Sequence, residues 1–146
     1  MSYIITMKIN TKIRYGLRML LSLAEANEVV NTAVLGKKMQ VSPKYLRKLA
    51  GPLEKHELIK SVQGIYGGYI LNKKPEEISV SSIFDAFDEK FNLSGCTGDE
   101  TCPLNENCLA RPLWEHLEKV IQDEFYEITL REILDNDFKK KKKFET

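Results

Sequence analysis

Three cysteines, Cys96, Cys102 and Cys108, recur with five residues between neighbours in the segment Ser94-Gly-Cys-Thr-Gly-Asp-Glu-Thr-Cys-Pro-Leu-Asn-Glu-Asn-Cys108. Free cysteine usually goes into cores, but this stretch is rich in Gly, Pro, Asn and acids and reads as a loop. Thiols in a polar loop bury little and stay reactive unless ligated. Even spacing in such a loop lets three thiolates converge on one inorganic centre. Zinc is one candidate, although structural zinc commonly uses closely paired cysteines and a full set of protein ligands. Iron–sulfur clusters, the other candidate, accept thiolates at wider spacings. Three unrelated cysteines is the plain alternative. The odd count argues against a disulfide framework and makes a reducing, cytoplasmic compartment the default.

The chain before that loop carries elements suited to positioning a nucleic-acid contact. From Asn10 the apolar residues Ile13, Leu17, Leu20, Leu21 and Ala24 recur at helical spacing, with Asn10 or Thr11 as cap. A shorter helix fits Ala33 to Met39, capped by Asn31 or Thr32, with Val34, Leu35 and Met39 as its buried side. Ser42-Pro43 then supplies a good N-cap and a proline in the first turn, where its missing N–H would be unpaired anyway. A third helix therefore starts at Pro43, with Leu46, Leu49 and Leu53 inward and Lys44, Arg47, Lys48 and Lys55 largely on the other side. Two short helices joined by a brief turn, the second one basic, fit a helix-turn-helix. The second helix of such a pair lies in the major groove with its N-terminal residues nearest the bases. That points to Ser42, Lys44, Tyr45, Arg47 and Lys48 as DNA contacts. A helical hairpin with a solvated basic face is the plainer reading.

The segment after this third helix favours the helix-turn-helix. Leu58-Ile-Lys-Ser-Val62 and Tyr69-Ile-Leu71 are short β-prone runs flanking Gln63-Gly-Ile-Tyr-Gly-Gly68. Directly after a recognition-type helix, they make a hairpin wing rather than an ordinary tight turn. Its glycines let the backbone approach a phosphate or a minor groove. Gln63, Gly64, Tyr66 and Gly67 therefore join the set of DNA contacts.

The charge distribution points the same way. Over 146 residues the formal net charge is +1, which is a cancellation. Residues 1–71 hold eleven Lys/Arg against four Asp/Glu, a balance of +7. Residues 72–138 hold six against sixteen, a balance of −10. Residues 139–146 hold five consecutive lysines and Glu145, a balance of +4. A basic first half is the footprint expected of a surface that neutralises phosphates, with chance segregation of solvated charges as the plainer reading, and a lysine run is expected to be disordered. The length fits one domain, or one small domain with an appended dimerisation element, and the 42% apolar content is ordinary for a globular protein. No run approaches the ~18 apolar residues of a membrane span. The apolar start Met1 to Thr6 lacks a basic region and a cleavage site, so a signal peptide is not expected.

Taken together, these stretches resemble the winged-helix iron–sulfur regulator family that includes IscR, NsrR and CymR. The matching segments are Met7-Lys-Ile-Asn-Thr-Lys-Ile-Arg-Tyr-Gly-Leu-Arg18, Val41-Ser-Pro-Lys-Tyr-Leu-Arg-Lys-Leu49, the run from Leu58 to Leu71, the evenly spaced cysteines, and Pro112-Leu-Trp114. The resemblance runs from Met7, which looks like the usual family start, to about Asn136, leaving residues 1–6 as an extension. It implies a mainly α fold with a small β-hairpin wing, a winged helix-turn-helix plus a long dimerisation helix. It also implies a homodimer on roughly palindromic double-stranded operator DNA. The expected dimer helix spans Leu109 to about Glu127, with Leu113, Leu117, Val120, Ile121 and Phe125 on one face. The implied cofactor is an iron–sulfur cluster, 2Fe–2S in preference to 4Fe–4S, held by Cys96, Cys102 and Cys108.

Two departures mark this chain. IscR-like members carry a histidine three residues after the last cysteine, where Arg111 stands; NsrR-like members use a carboxylate from the partner's N-terminal region, where Arg14 stands. The fourth ligand is then sought at Glu106, Asn107 or the partner's Asn10, with Asp99, Glu100 or a small exogenous ligand behind them, while His116 is expected on a helix surface. In the wing, Gln63 replaces the arginine common before the first glycine, and Gln supplies no charge to a minor groove. The expected organisation is a DNA-binding domain over 1–75, a cysteine loop and dimerisation helix over 76–138, and the lysine-rich tail over 139–146. A cluster-free thiol or zinc switch on the same DNA-binding module is the alternative. An iron–sulfur redox enzyme is more distant, because no Ser/His/Asp set or phosphate loop is visible and the only histidines are His56 and His116.

Overall fold

A computed structural model describes residues 9–93 and 107–137. Its elements run α1 (Thr11–Ala26), α2 (Thr32–Met39), α3 (Pro43–Lys55), β1 (Ile59–Val62), β2 (Gly68–Leu71), a short 3-10 turn (Pro75–Glu77), α4 (Val80–Ala86), α5 (Arg111–Glu127) and α6 (Leu130–Leu134). The expected mainly α fold with a hairpin wing is what is observed.

The helix starts follow from side-chain capping. Asn10 Oδ1 accepts from Lys12 N–H at 2.8 Å, Asn31 Oδ1 from Ala33 N–H at 2.8 Å, and Ser42 Oγ from Tyr45 N–H at 3.1 Å. Each satisfies one of the amides that a helix N-terminus leaves unpaired. The core is filled by Met19, Leu20 and Leu23 of α1, Leu35 and Met39 of α2, and Leu46, Leu49 and Leu53 of α3. Two expectations need correction. Val34 is exposed: on a two-turn helix the inner stripe has room for Leu35, Gly36 and Met39, and Val34 falls outside it. The buried stripe of α1 is also wider than expected, taking in Gly16, Met19, Ser22 and Leu23, because α1 is covered by α3, α4 and α6 together.

β1 and β2 pair antiparallel, Ile59 opposite Leu71 and Val62 opposite Gly68. Val30 extends β2 on its other edge, exchanging hydrogen bonds with Tyr69 at 2.9 and 3.0 Å. Gly68 permits this approach, since a Cβ there would run into the Val30 backbone.

The second half is joined to this core rather than set apart from it. Ile78, Ile83 and Leu130 belong to the same buried cluster as Leu20 and Leu49. Val80 N–H donates to Ile128 O and Leu130 N–H to Ile78 O, both at 3.0 Å, clamping the start of α4 to the start of α6. Phe125 stacks on Phe84 at 5.0 Å between centroids, and Phe91 meets Phe125 edge-on at 5.4 Å. By these rings α5 lies against α4, yet no residue of α5 is buried. The expected single face divides accordingly. Phe125 packs inward and Ile121 is half-buried, whereas Leu113, Leu117 and Val120 are 52%, 38% and 44% exposed.

Adjacent positions on α2 test the corrected packing. Leu35→Ala is expected to cost about 2–5 kcal/mol through lost burial and a residual cavity. Val34→Ala, at a surface position, should stay within about 0.5 kcal/mol of wild type. Urea unfolding of the two variants checks the difference, and equal losses would contradict the packing of α2.

Candidate nucleic-acid interface and cysteine loop

The free face of α3 follows from its leucines. With Leu46, Leu49 and Leu53 inward, Ser42, Lys44, Arg47 and Lys48 are all exposed along the other side. Tyr45 does not share that freedom: it is half-buried and meets Tyr15 edge-on at 5.8 Å. Arg18 covers the Tyr15 ring at 5.0 Å, so a basic residue of α1 is held beside the same cluster. The helices of the reading unit are separated by Gln40, Val41 and Ser42, with Gln40 in the left-handed conformation that ends α2.

The wing is fastened to α3. Glu54 Oε1 accepts from Ser61 N–H at 3.1 Å and from Ser61 Oγ at 2.7 Å. Tyr69 is buried beneath β2, and burial pushes its phenol pKa up; Glu54 adds to the rise and Arg47 opposes it. Gln63, Gly64 and Tyr66 are exposed, and Gly64 sits at φ +110, a backbone region that favours glycine. Gly67 is buried, with its N–H donated to Gly64 O at 3.0 Å, so its role here is to close the loop. Two participants were missed from sequence. Ile65, beside Tyr66, is 91% exposed. Glu54 is an acid on an otherwise basic helix, seven residues before its serine partner, and that local charge contrast was the available signal.

The helix α5 holds both margins of the cysteine segment. Cys108 is half-buried just ahead of α5, and its carbonyl accepts from Arg111 N–H at 3.3 Å. On the opposite margin, Glu118 Oε2 accepts from Leu93 N–H at 3.0 Å and Gln122 Nε2 donates to Phe91 O at 3.2 Å. Glu118 and Gln122 stand one turn apart on α5; nothing in their sequence neighbourhood announced this role. Cys96, Cys102, Asp99, Glu100 and Glu106 lie outside the described residues. Asn107 is exposed. Asn10 is engaged within its own chain, capping α1 and donating Nδ2–H to Glu89 Oε1 at 3.1 Å. Arg111 pairs through Nε with Glu115 at 2.7 Å, Arg14 reaches Thr11 Oγ1 at 3.4 Å, and His116 is exposed as expected. The donor set fits an iron–sulfur centre in chemistry: three soft thiols on one short segment, both margins of which are fixed to the same helix. Among the described residues no group of three His, Cys, Asp or Glu side chains stands ready to hold a metal ion. None of the described helices is long and apolar enough to cross a membrane.

Comparison with known proteins agrees with this arrangement. IscR of Sodalis glossinidius, an HTH-type transcriptional regulator, is 33% identical over 133 residues, spanning 90% of this chain and 81% of that protein. The solved structure of CymR, the global cysteine regulator of B. subtilis, superposes with a TM-score of 0.75 at 26% identity, covering 90% of this chain and 98% of the other. IscR of T. potens superposes with a TM-score of 0.69 at 29% identity, covering 88% and 87%. Residues 9–136 match the family model described as Rrf2, iron-dependent transcriptional regulator. With that match covering most of its length, and a winged helix-turn-helix in place, the chain belongs to the Rrf2 family of transcriptional regulators.

Proposed function

We propose that this regulator acts in the cytoplasm as a homodimer, and that an iron–sulfur cluster on Cys96, Cys102 and Cys108 modulates its binding to roughly palindromic operator DNA. The observation that carries the reading is the position of α5. It fastens both margins of the cysteine segment and turns the stripe Leu113, Leu117 and Val120 outward. A helix exposing such a stripe needs a partner, and an isologous contact between two copies covers it on both. Two-fold symmetry then sets the paired α3 helices about one DNA turn, ~34 Å, apart.

Residues 1–75 supply the DNA contacts. Ser42, Lys44, Arg47 and Lys48 line the free face of α3 and Gln63, Gly64 and Tyr66 the wing, while Tyr45 and Gly67 shape the elements that carry them. Arginine offers bidentate donors to guanine, whereas lysine suits phosphates as a point charge. Residues 76–138 sense, and their excess of acids keeps that half away from the duplex. The tail over 139–146 adds non-specific attraction to polyanions.

When bound, the cluster, 2Fe–2S rather than 4Fe–4S, supplies a centre that oxygen, nitric oxide or iron–sulfur shortage can alter. The protein's part is mechanical. Thiol ligation fixes the segment between Leu93 and Cys108, Glu118 and Gln122 pass its arrangement to α5, and α5 sets how the two reading heads face the DNA. Glu106, Asn107 or the partner's Asn10 completes the ligand set; for Asn10 that requires leaving Glu89.

Three outcomes test the reading. Arg47→Ala should weaken operator binding by about 1–3 kcal/mol in a fluorescence-anisotropy titration; unchanged affinity would remove α3 from the base-reading role. Leu117→Asp should convert dimer to monomer in sedimentation velocity, and a wild-type monomer would end the dimer proposal. Protein purified without oxygen should contain iron and acid-labile sulfide, both lost in Cys102→Ala. Zinc, or no metal, in the wild type would leave the thiol or zinc switch instead.

A further inference from the structure

The tip of the wing runs against the usual chemistry of a turn. Gly67 N–H donates to Gly64 O at 3.0 Å, closing a four-residue turn whose corners are Ile65 and Tyr66. Such corners ordinarily carry Gly, Asn, Asp, Ser or Pro. Here they carry two large apolar side chains, 91% and 93% exposed, neither of them packed against the core. The loop is also firmly closed. A Cβ on Gly67 would collide with the Val62 carbonyl, and β2 is bonded to Val30 on its far edge. Glu54 ties β1 to α3 through Ser61. An apolar tip is thus held at a set place relative to the helix that carries Lys44, Arg47 and Lys48. From Val62 to Ile70 the hairpin has no charged residue at all, so the tip is poorly suited to gripping phosphates.

We propose that Ile65 and Tyr66 form an apolar wedge that enters the minor groove of the operator and parts a base step, so that the regulator reads its site partly through the deformability of the DNA. The proposal rests on the DNA-binding reading above and deepens it. The duplex is the favoured occupant because the tip is rigidly continuous with the basic face of α3. Apolar side chains inserted between base steps bend a duplex toward its major groove. Such bending brings more DNA onto the reading helices. The cost of unstacking is least at pyrimidine–purine steps, so TA or CA steps are expected under each wing. Isoleucine supplies the wedge, and the tyrosine ring covers the base face it exposes.

The test uses the full-length chain, purified without oxygen, and a duplex enriched by wild-type protein from a random-sequence pool. That duplex carries dyes at its ends and 2-aminopurine at the step beneath the wing. Wild type should shorten the end-to-end distance and brighten 2-aminopurine. Ile65→Ser/Tyr66→Ser should abolish both signals and weaken binding about tenfold. It should leave the thermal midpoint unchanged, because both residues are exposed. Tyr66→Phe should keep the bend. A double variant that still bends and unstacks the duplex overturns the wedge, as does one whose oligomeric state changes, since the tip would then be a protein contact. Arg47→Ala run in parallel separates the two readings. If it weakens binding while the double variant behaves like wild type, only the wedge fails; if wild-type protein enriches no duplex, both fail.

Discussion

Burial of one leucine stripe on α3 sets the geometry of the reading head. Leu46, Leu49 and Leu53 lie one or two turns apart and are all but inaccessible, which fixes the rotation of the helix about its axis. Once that rotation is fixed, Lys44, Arg47 and Lys48 are exposed on the opposite side. The Ser42 cap fixes where the helix begins, and hence which residues form its leading turn. Glu54, on the last turns of the same helix, fixes the wing through Ser61. Apolar packing thus positions a polar surface that contributes little to its own placement, as a DNA-binding surface must if its side chains are to be free for the ligand.

α5 inverts that arrangement. No residue along it is buried; it is held by aromatic contacts of Phe125 with Phe84 and Phe91 and by hydrogen bonds of Glu118 and Gln122 to Leu93 and Phe91. Two stripes run side by side: Trp114, Glu118, Ile121 and Phe125 face the chain half-buried, while Leu113, Leu117 and Val120 face outward. A helix held along a single stripe can shift more easily than α1, which is enclosed by α3, α4 and α6. That is a suitable property for the element that fastens the margins of the cysteine segment.

The difference between these helices also governs what sequence could disclose. Caps and proline placement located the starts of α1, α2 and α3, because capping is decided within three or four residues. The recognition helix and the wing followed from periodicity and glycine placement for the same reason. Val34 was misplaced because two turns of helix hold too few apolar residues to define a face. Ile121 and Phe125 were grouped with Leu113, Leu117 and Val120 because the stripes adjoin, and only the positions of Phe84 and Phe91 separate them. Glu118, Gln122 and the Glu54–Ser61 tie stayed hidden since each depends on the path of the chain between elements. Of the cysteine site, sequence offered the donor chemistry; the structure adds the position of Cys108 and the two margins.

A continuous set of contacts links the segment after α5 to the core. The segment after α5 is bonded to the segment before α4 through Ile128 and Ile78, and it inserts Leu130 into the core shared with α1. Arg131 adds an ion pair to Glu76 at 2.8 Å, which lowers the pKa of that carboxyl chiefly by hydrogen bonding, although the pair is exposed and contributes little energy. The segment after α5 is therefore joined to the core by hydrogen-bonded backbone and a buried leucine rather than by surface charges. Buried packing of this kind depends weakly on salt, whereas phosphate contacts of the sort proposed for Lys44, Arg47 and Lys48 depend on it strongly. The net +1 thus divides into two basic regions, residues 1–71 and the lysine tail, and an acidic stretch between them that is joined to the first by packing.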